Sequence, residues 1–385
     1  MVFLLDFQPI LPFRAAVWRS VRGRNNGGHP TPPEGGVQWF FIEAGDKMNR
    51  EPSGVAGVRR RPVRAVSLLS GGLDSQLAIC VLREQGIEVT GVVFKSPFFS
   101  LDLANRAARQ LAVRLEVLDF TADILDLLAH PRHGFGSCLN PCIDCHARMI
   151  RRAGEFMQAN GMDFISTGEV LNERPMSQNG RTLGVVAEDS GFADWLVRPL
   201  SAKRLKETRP EREGLVDRSR LLDLEGRSRK PQFALAVRYG LTDIPTPAGG
   251  CRLTEPNFCR RLDDLRKHEG LGSIRDIERL GVGRHFRLAD RFKLVLGRDQ
   301  ADNAAIQSMS GPAEYILKPD GSPGPTGWLP AAITETLLME AVSICAHYTD
   351  RVDERPVPVR VECAGENRVI ESRPLERDAV ERRMI

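Results

Sequence analysis

Ala65-Val66-Ser67-Leu68-Leu69 runs directly into Ser70-Gly71-Gly72-Leu73-Asp74-Ser75. A short, bounded apolar run is what a strand buried on both faces of a parallel sheet shows. The two glycines after it let the backbone turn with positive φ and approach an anion closely. The helix that opens next directs unpaired N–H groups and a partial positive charge at the same point. The stretch therefore reads as strand, phosphate-binding loop, helix. Ser70 and Ser75 add hydroxyl donors, and Asp74 is placed to cap the helix or to hold a magnesium ion. No Gly-Lys-Ser/Thr follows, so it is not a Walker loop, and it lacks the G-x-G-x-x-G of a dinucleotide fold.

Working outward, the same alternation continues. A helix is expected over 77–85, a strand over 89–94 with Lys95 following it, a helix over 101–111, a strand over 115–120 and another over 163–167. Strands alternating with helices imply βαβ units, hence an α/β protein with a doubly wound parallel sheet. A third segment, with a strand over 292–296, a Pro/Gly-rich loop over 319–330, a helix over 331–347 and a strand over 357–363, reads as a smaller C-terminal α/β module. The expected domains are thus 1–62, 63–282 and 283–385. Residues 1–62 carry Gly27-Gly28, Pro32-Pro33, Gly35-Gly36 and the basic run Arg59-Arg60-Arg61 without sustained periodicity, the composition of a disordered extension. Met48 is an alternative start.

At 385 residues the chain is long enough for two or three compact units, and 42% hydrophobic content is enough to fill their cores. A formal charge of +4 permits a nucleic-acid partner without arguing for one. Residues 201–238 hold 11 Lys/Arg against 6 Asp/Glu, which suits a solvated helical face or an RNA-backbone contact. No apolar run reaches membrane-spanning length, and Met1 to Phe13 lacks a basic leader and is interrupted by Asp6, Pro9 and Pro12. The expectation is a cytoplasmic protein with no membrane partner.

Eight cysteines are too few for a disulfide scaffold in a chain of this length, so their clustering matters more than their number. Cys138, Cys142 and Cys145 fall close together ahead of a helix expected over 147–160, where a helix N-terminus lowers thiol pKa values. Cys251 follows Gly249-Gly250, and Cys259 lies eight residues on. Cys142, Cys145 and Cys251 suit sulfur-carrying thiols, a zinc site or a 4Fe-4S cluster, and spacing does not choose among these. Cys80, Cys259, Cys345 and Cys363 read as ordinary buried cysteines. Glu169, Arg174, Gln178 and His146 are further candidates for lining the site.

Ser-Gly-Gly-x-Asp-Ser resembles the PP-loop of ATP-pyrophosphatases, of the adenine nucleotide alpha-hydrolase-like fold. The resemblance implies that Ser70, Gly71, Gly72, Asp74 and Ser75 bind ATP with Mg2+, together with Lys95 and Gly168. Asn140-Pro141-Cys142-Ile143-Asp144-Cys145-His146 resembles the N-P-x-x-x-C-N stretch of tRNA-specific 2-thiouridylases, which implies a catalytic role for Cys145 and makes Gly249-Gly250-Cys251 the second cysteine. Thr167-Gly168-Glu169-Val170-Leu171 with Ser177-Gln178 is similar to a stretch of tRNA 4-thiouridine synthetases. Cys142 departs from the 2-thiouridylases, and CxxC with a distant Cys is the arrangement of cluster-dependent tRNA thiolases. From Arg291-Phe292-Lys293-Leu294-Val295-Leu296-Gly297-Arg298 onward, the last hundred residues resemble the NFACT-R RNA-binding module.

What these resemblances imply is an ATP-dependent tRNA sulfurtransferase. It would adenylate a uridine carbonyl at C2 or C4 with Asp74, then displace AMP through a persulfide on Cys145 or Cys251 or through a 4Fe-4S cluster on Cys142, Cys145 and Cys251. Its partners would be tRNA and a sulfur donor such as a cysteine desulfurase or sulfide. A PP-loop amidotransferase or lysidine-type synthetase, and a non-catalytic RNA-binding adaptor, are the alternatives.

Overall fold

The structure, a computed structural model, describes residues 61–385 apart from 175, 247–249 and 351–354. The extension expected over 1–62 and Gly249 of the second cysteine motif thus fall, but for residues 61 and 62, outside the described residues.

The first half alternates β1 (Arg64–Leu68), α1 (Leu73–Arg83), β2 (Glu88–Lys95), α2 (Asp102–Leu111), β3 (Arg114–Asp119), α3 (Thr121–Ala129), α4 (Cys142–Ala159), β4 (Phe164–Ser166), α5 (Gly180–Ser190) and the two-residue β5 (Leu196–Val197). All pair in parallel in the order β3-β2-β1-β4-β5. The period-2 alternation of β1 and β2 sends Val66, Val92 and Phe94 to one face and Ala65 and Leu69 to the other. Helices α3, α4 and α5 cover the first face through Ile124, Ile150 and Val186. Helices α1 and α2 cover the second through Leu77, Ile79 and Ala107. Each fully buried aliphatic or Phe side chain contributes roughly 1.5–3 kcal/mol. The doubly wound sheet is therefore held from both sides.

Residues 201–238, whose charge suited a solvated helical face or an RNA-backbone contact, form only the four-residue α6 (Arg209–Arg212), α7 (Lys230–Arg238) and short turns. Ala236 of α7 packs on the α1 face of the sheet. Helix α8 (Pro256–His268) and α9 (Ile274–Arg279) then return to the α4 face, burying Phe258, Leu262, Leu265 and Ile277.

The remaining chain contributes β6 (Arg284–Ala289), β7 (Phe292–Leu296), α10 (Gln300–Ser308), β8 (Tyr315–Pro319), β9 (Gly327–Leu329), α11 (Glu335–His347), β10 (Val357–Cys363), β11 (Glu366–Ser372) and α12 (Arg377–Glu381). Its six strands are antiparallel in the order β11-β10-β8-β9-β7-β6. Strand β9 lies inside the stretch expected to be loop; at three residues it is too short for an alternation to show. Helix α11 covers one face of this sheet, and Val295, Ile306, Ile316 and Trp328 fill the other.

The two sheets are joined through a buried cation. Arg279 is fully buried, its guanidinium 3.7 Å from the Trp328 ring centroid. It donates to Asp276 at 2.6 Å and to the Met309 carbonyl at 3.0 Å. Arg287 of β6 adds ion pairs to Asp264 and Glu269 near the end of α8.

Candidate active site

Doubly wound sheets bind ligands beyond the carboxyl ends of their strands, where the strand order reverses. Here that point lies between β1 and β4, and the Ser70-to-Ser75 loop leaves β1 just there. Gly71 has φ +85°, and a Cβ on it would lie 2.3 Å from the Leu103 carbonyl carbon of α2, so only glycine fits. A Cβ on Gly168, just after β4, would meet the Asp74 carbonyl carbon and Ser75 nitrogen at 2.5 Å. The segment after β4 and the residues that open the helix after β1 therefore touch backbone to backbone. Ser75 Oγ donates to the Gly72 carbonyl at 2.8 Å, Ser70 Oγ accepts from Gly72 N–H at 3.3 Å, and Gln76 donates to the Gly71 carbonyl at 3.0 Å.

Helix α1 begins at Leu73, four residues before the expected start, which puts Asp74 and Ser75 in its first turn. Asp74 does not cap it: the N-cap is Gly72, without a side-chain cap bond, so the helix N-terminus is left open toward an anion. Burial raises the Asp74 pKa against the opposing pull of Arg229 and Arg174. Its Oδ1 is buried without a hydrogen-bond partner, while Oδ2 lies 3.9 Å from Arg229 Nη2. Glu173 is also raised, by burial and by the charge of Asp74, and sits 3.7 Å from Arg229 Nε. An orphaned carboxylate oxygen beside an open helix N-terminus fits a phosphate-bound magnesium ion, which usually takes one or two protein carboxylates. Lys95 is exposed at the end of β2.

Sequence reasoning did not single out Arg229. It belongs to the basic segment read as a solvated face or an RNA-backbone contact, and no local pattern shows that α7 brings it back to the phosphate loop. Arg198, just after β5, was missed too, because no local pattern shows its return to Glu169. It donates to Glu169 Oε2 at 2.7 Å, Thr167 Oγ1 donates to the same oxygen at 3.0 Å, and His146 Nδ1 lies 3.4 Å from Oε1. Burial alone would raise the Glu169 pKa, but Arg198 and His146 outweigh it and hold this buried carboxylate well below the usual range. Gln178 is buried near the same loop, its backbone N–H donating to the Arg174 carbonyl.

Helix α4 starts at Cys142 rather than at 147, so Cys142, Cys145 and His146 lie on it. Phe99 pairs with Cys251 in an isolated antiparallel bridge, which lays the Cys251 segment along the loop after β2. Cys142, Cys145 and Cys251 are close enough to oppose one another's ionisation. The lowering expected at a helix N-terminus does not occur. Burial dominates, raising Cys142, pushing Cys145 well up and taking Cys251 to about 12. Among the described residues no group of three or more His, Cys, Asp or Glu side chains is gathered tightly enough to hold a metal ion.

Residues 63–190 match the family described as the tRNA methyl transferase HUP domain, and 283–384 match the NFACT protein RNA binding domain. The chain is 29% identical over 133 residues to a tRNA-specific 2-thiouridylase MnmA of Desulfitobacterium hafniense, covering 29% of this chain and 35% of that protein. It is 24% identical over 347 residues to one from Geobacter metallireducens, covering 79% of this chain and 88% of that protein. The first of these matches thus spans about a third of the relative's length. A solved 4-thiouridine synthetase–RNA complex with bound ATP is 23% identical at a TM-score of 0.30, over 36% of each chain. The two family matches thus fall separately on the parallel-sheet half and on the antiparallel-sheet module.

Proposed function

We propose that this protein is an ATP-dependent tRNA thiolase, with residues 63–282 carrying the chemistry and 283–385 holding RNA. The observation that carries the reading is the convergence, at the carboxyl end of one sheet, of an open anion-binding helix N-terminus and three thiols from two distant parts of the chain.

A uridine carbonyl reacts poorly because its oxygen is a poor leaving group. Transfer of AMP onto that oxygen, at C2 or C4, makes it a good one. The N–H groups at the start of α1, with Ser70, Gly71, Gly72 and Ser75, bind the departing pyrophosphate, and Lys95 adds charge at the rim. Gly168 keeps the loop close. Asp74 would hold Mg2+, which would neutralise phosphate charge. A persulfide on Cys145, loaded with sulfane sulfur by a cysteine desulfurase, attacks the activated carbon through its terminal sulfur, and AMP departs. Cys251 then attacks Cys145 Sγ, which releases the thiolated base and leaves a Cys145–Cys251 disulfide. Glu169 at His146 Nδ1 favours the proton there and leaves Nε2 to accept one.

The test is pyrophosphate release and thiouridine formation on unmodified tRNA, with iron and sulfide analysis of anaerobically purified protein. Iron-free protein that thiolates in a Cys142→Ala variant supports the persulfide route. About four irons per chain, with turnover lost in that variant, would replace it by the cluster route. Pyrophosphate release without any sulfur transfer would point instead to a lysidine-type synthetase.

A further inference from the structure

Arg229 takes no part in the chemistry above, yet it stands at the phosphate loop without closing a hydrogen bond to either carboxylate beside it. Its guanidinium spans the two, with Nη2 3.9 Å from Asp74 Oδ2 and Nε 3.7 Å from Glu173 Oε1. Both distances exceed hydrogen-bonding range, whereas the buried pair of Arg198 and Glu169 closes at 2.7 Å. Burial raises both Asp74 and Glu173 against the pull of Arg229, while at Glu169 burial is outweighed by the paired Arg198. Arg229 Nε is itself buried without a partner. The guanidinium lies over the Phe233 ring, 5.5 Å from its centroid, and the side chain is 19% exposed. Arg229 is the N-cap of α7, and no side chain caps that helix. The first-turn N–H groups of α7, like those of α1, are therefore open to an anion. Gln232, three residues on and so on the same face of α7, is 1% exposed, and neither its amide nitrogen nor its oxygen has a hydrogen-bond partner. Asp74, Arg229 and Gln232 thus leave four buried polar atoms unmatched where α7 meets the start of α1. A folded interior leaves few such atoms unless a ligand completes them.

We propose that Arg229 is an ATP-binding residue, which turns from Asp74 and Glu173 to the β- and γ-phosphates and holds the group that leaves as pyrophosphate. This rests on the ATP-dependent reading of the site. A polyphosphate supplies what the two carboxylates do not, oxygens free to settle within about 2.8 Å of a planar guanidinium and to accept two of its N–H groups in parallel. The first turns of α1 and α7 then share one anion, and Gln232, one turn along from Arg229, offers it an amide donor. The move also frees Asp74 from its cationic neighbour. Part of the basic excess over 201–238, whose charge suited an RNA backbone, is thereby turned to nucleotide. A structural ion pair would explain an arginine beside two carboxylates, but not one that bonds neither of them.

The first experiment is isothermal titration calorimetry of the full chain with magnesium ATP, magnesium pyrophosphate and AMP. In Arg229→Met, ATP and pyrophosphate should each bind about 10- to 150-fold more weakly, the weight of one hydrogen bond to a charged group, while AMP binds as in wild type. Unchanged affinity for ATP overturns the proposal. An equal loss for ATP and AMP overturns it too, since Arg229 would then support the fold rather than the terminal phosphates. So would a variant that keeps its ATP affinity but loses tRNA in filter binding, which returns the residue to the RNA backbone. The second experiment uses wild type alone and so stands even where the variant does not fold. Phenylglyoxal labelling, mapped by mass spectrometry, should modify Arg229 in the free protein and in the presence of AMP, but not under saturating ATP. Labelling of Arg229 that ATP leaves unchanged refutes the contact. Wild-type protein that binds neither ATP nor pyrophosphate refutes the ATP-dependent reading itself, a result distinguishable from an indifferent Arg229→Met.

Discussion

Gly168→Ala should disable the site without touching any polar group in it. The added Cβ would stand 2.5 Å from the backbone of Asp74 and Ser75, where ordinary contact begins near 3.4 Å, so the two segments must part by about 0.9 Å. Neither side yields easily. Thr167 N–H is bonded to the Val197 carbonyl at 3.2 Å, and α1 is packed along its length by Leu73, Leu77 and Ile79. A displacement near 1 Å of groups that position a reacting phosphate costs about a hundredfold in rate. Overpacking of this kind destabilises by about 1–3 kcal/mol, so folding is expected to survive. The assay is tRNA-dependent pyrophosphate release under saturating ATP, with thermal unfolding as the control for folding. Gly184→Ala is the matched comparison, since nothing lies within 4 Å of its added Cβ and it sits in helix α5. Pyrophosphate release from Gly168→Ala at the rate of Gly184→Ala would refute the close-approach argument.

Asp74→Asn should abolish pyrophosphate release yet raise the melting temperature at neutral pH. Because burial raises the folded-state pKa of Asp74, ionisation weakens the fold as pH climbs above the unfolded value near 4; the gain should vanish in acid, and a gain that persists there would contradict it. Cys145→Ala and Cys251→Ala should retain pyrophosphate release but yield no thiouridine by nucleoside mass spectrometry; loss of both activities together would assign these residues to folding instead. Arg279→Met removes a ring contact and two hydrogen bonds and strands Asp276, so urea unfolding should show a loss of about 3–5 kcal/mol, and an unchanged midpoint would show that the joint between the sheets lies elsewhere.

The parallel sheet was legible because its strands are short apolar runs separated by helical periods, and a two-sided core imposes that pattern locally. The expected strand over 89–94 and the observed Glu88–Lys95 differ only at their ends. The strands over 292–296 and 357–363 coincide with β7 and β10. Helix starts were less legible. Cys142 and Cys145 read as loop because Pro141 and three nearby cysteines resemble irregular sequence, whereas Pro141 at the N-cap starts the helix. For the site, the phosphate loop and the cysteine spacing are contiguous signals. Arg229 and Arg198 depend on chain returns across 155 and 29 positions along the sequence, for which one sequence offers no local mark. Burial of the thiols, which reversed the expected pKa direction, is likewise a property of the assembled core.

Helix α8 carries a mechanical consequence. Its first turn holds Cys259, just beyond Cys251, and its other end is clamped by Arg287 of the antiparallel sheet through Asp264 and Glu269. Thirteen residues of helix make a rigid strut about 20 Å long. A tilt of about 3° at the clamped end swings the far end by about 1 Å, enough to matter for a sulfur held in line with its target. The thiols and the C-terminal sheet are thus two ends of one lever, and a load placed on the sheet is felt at the sulfurs.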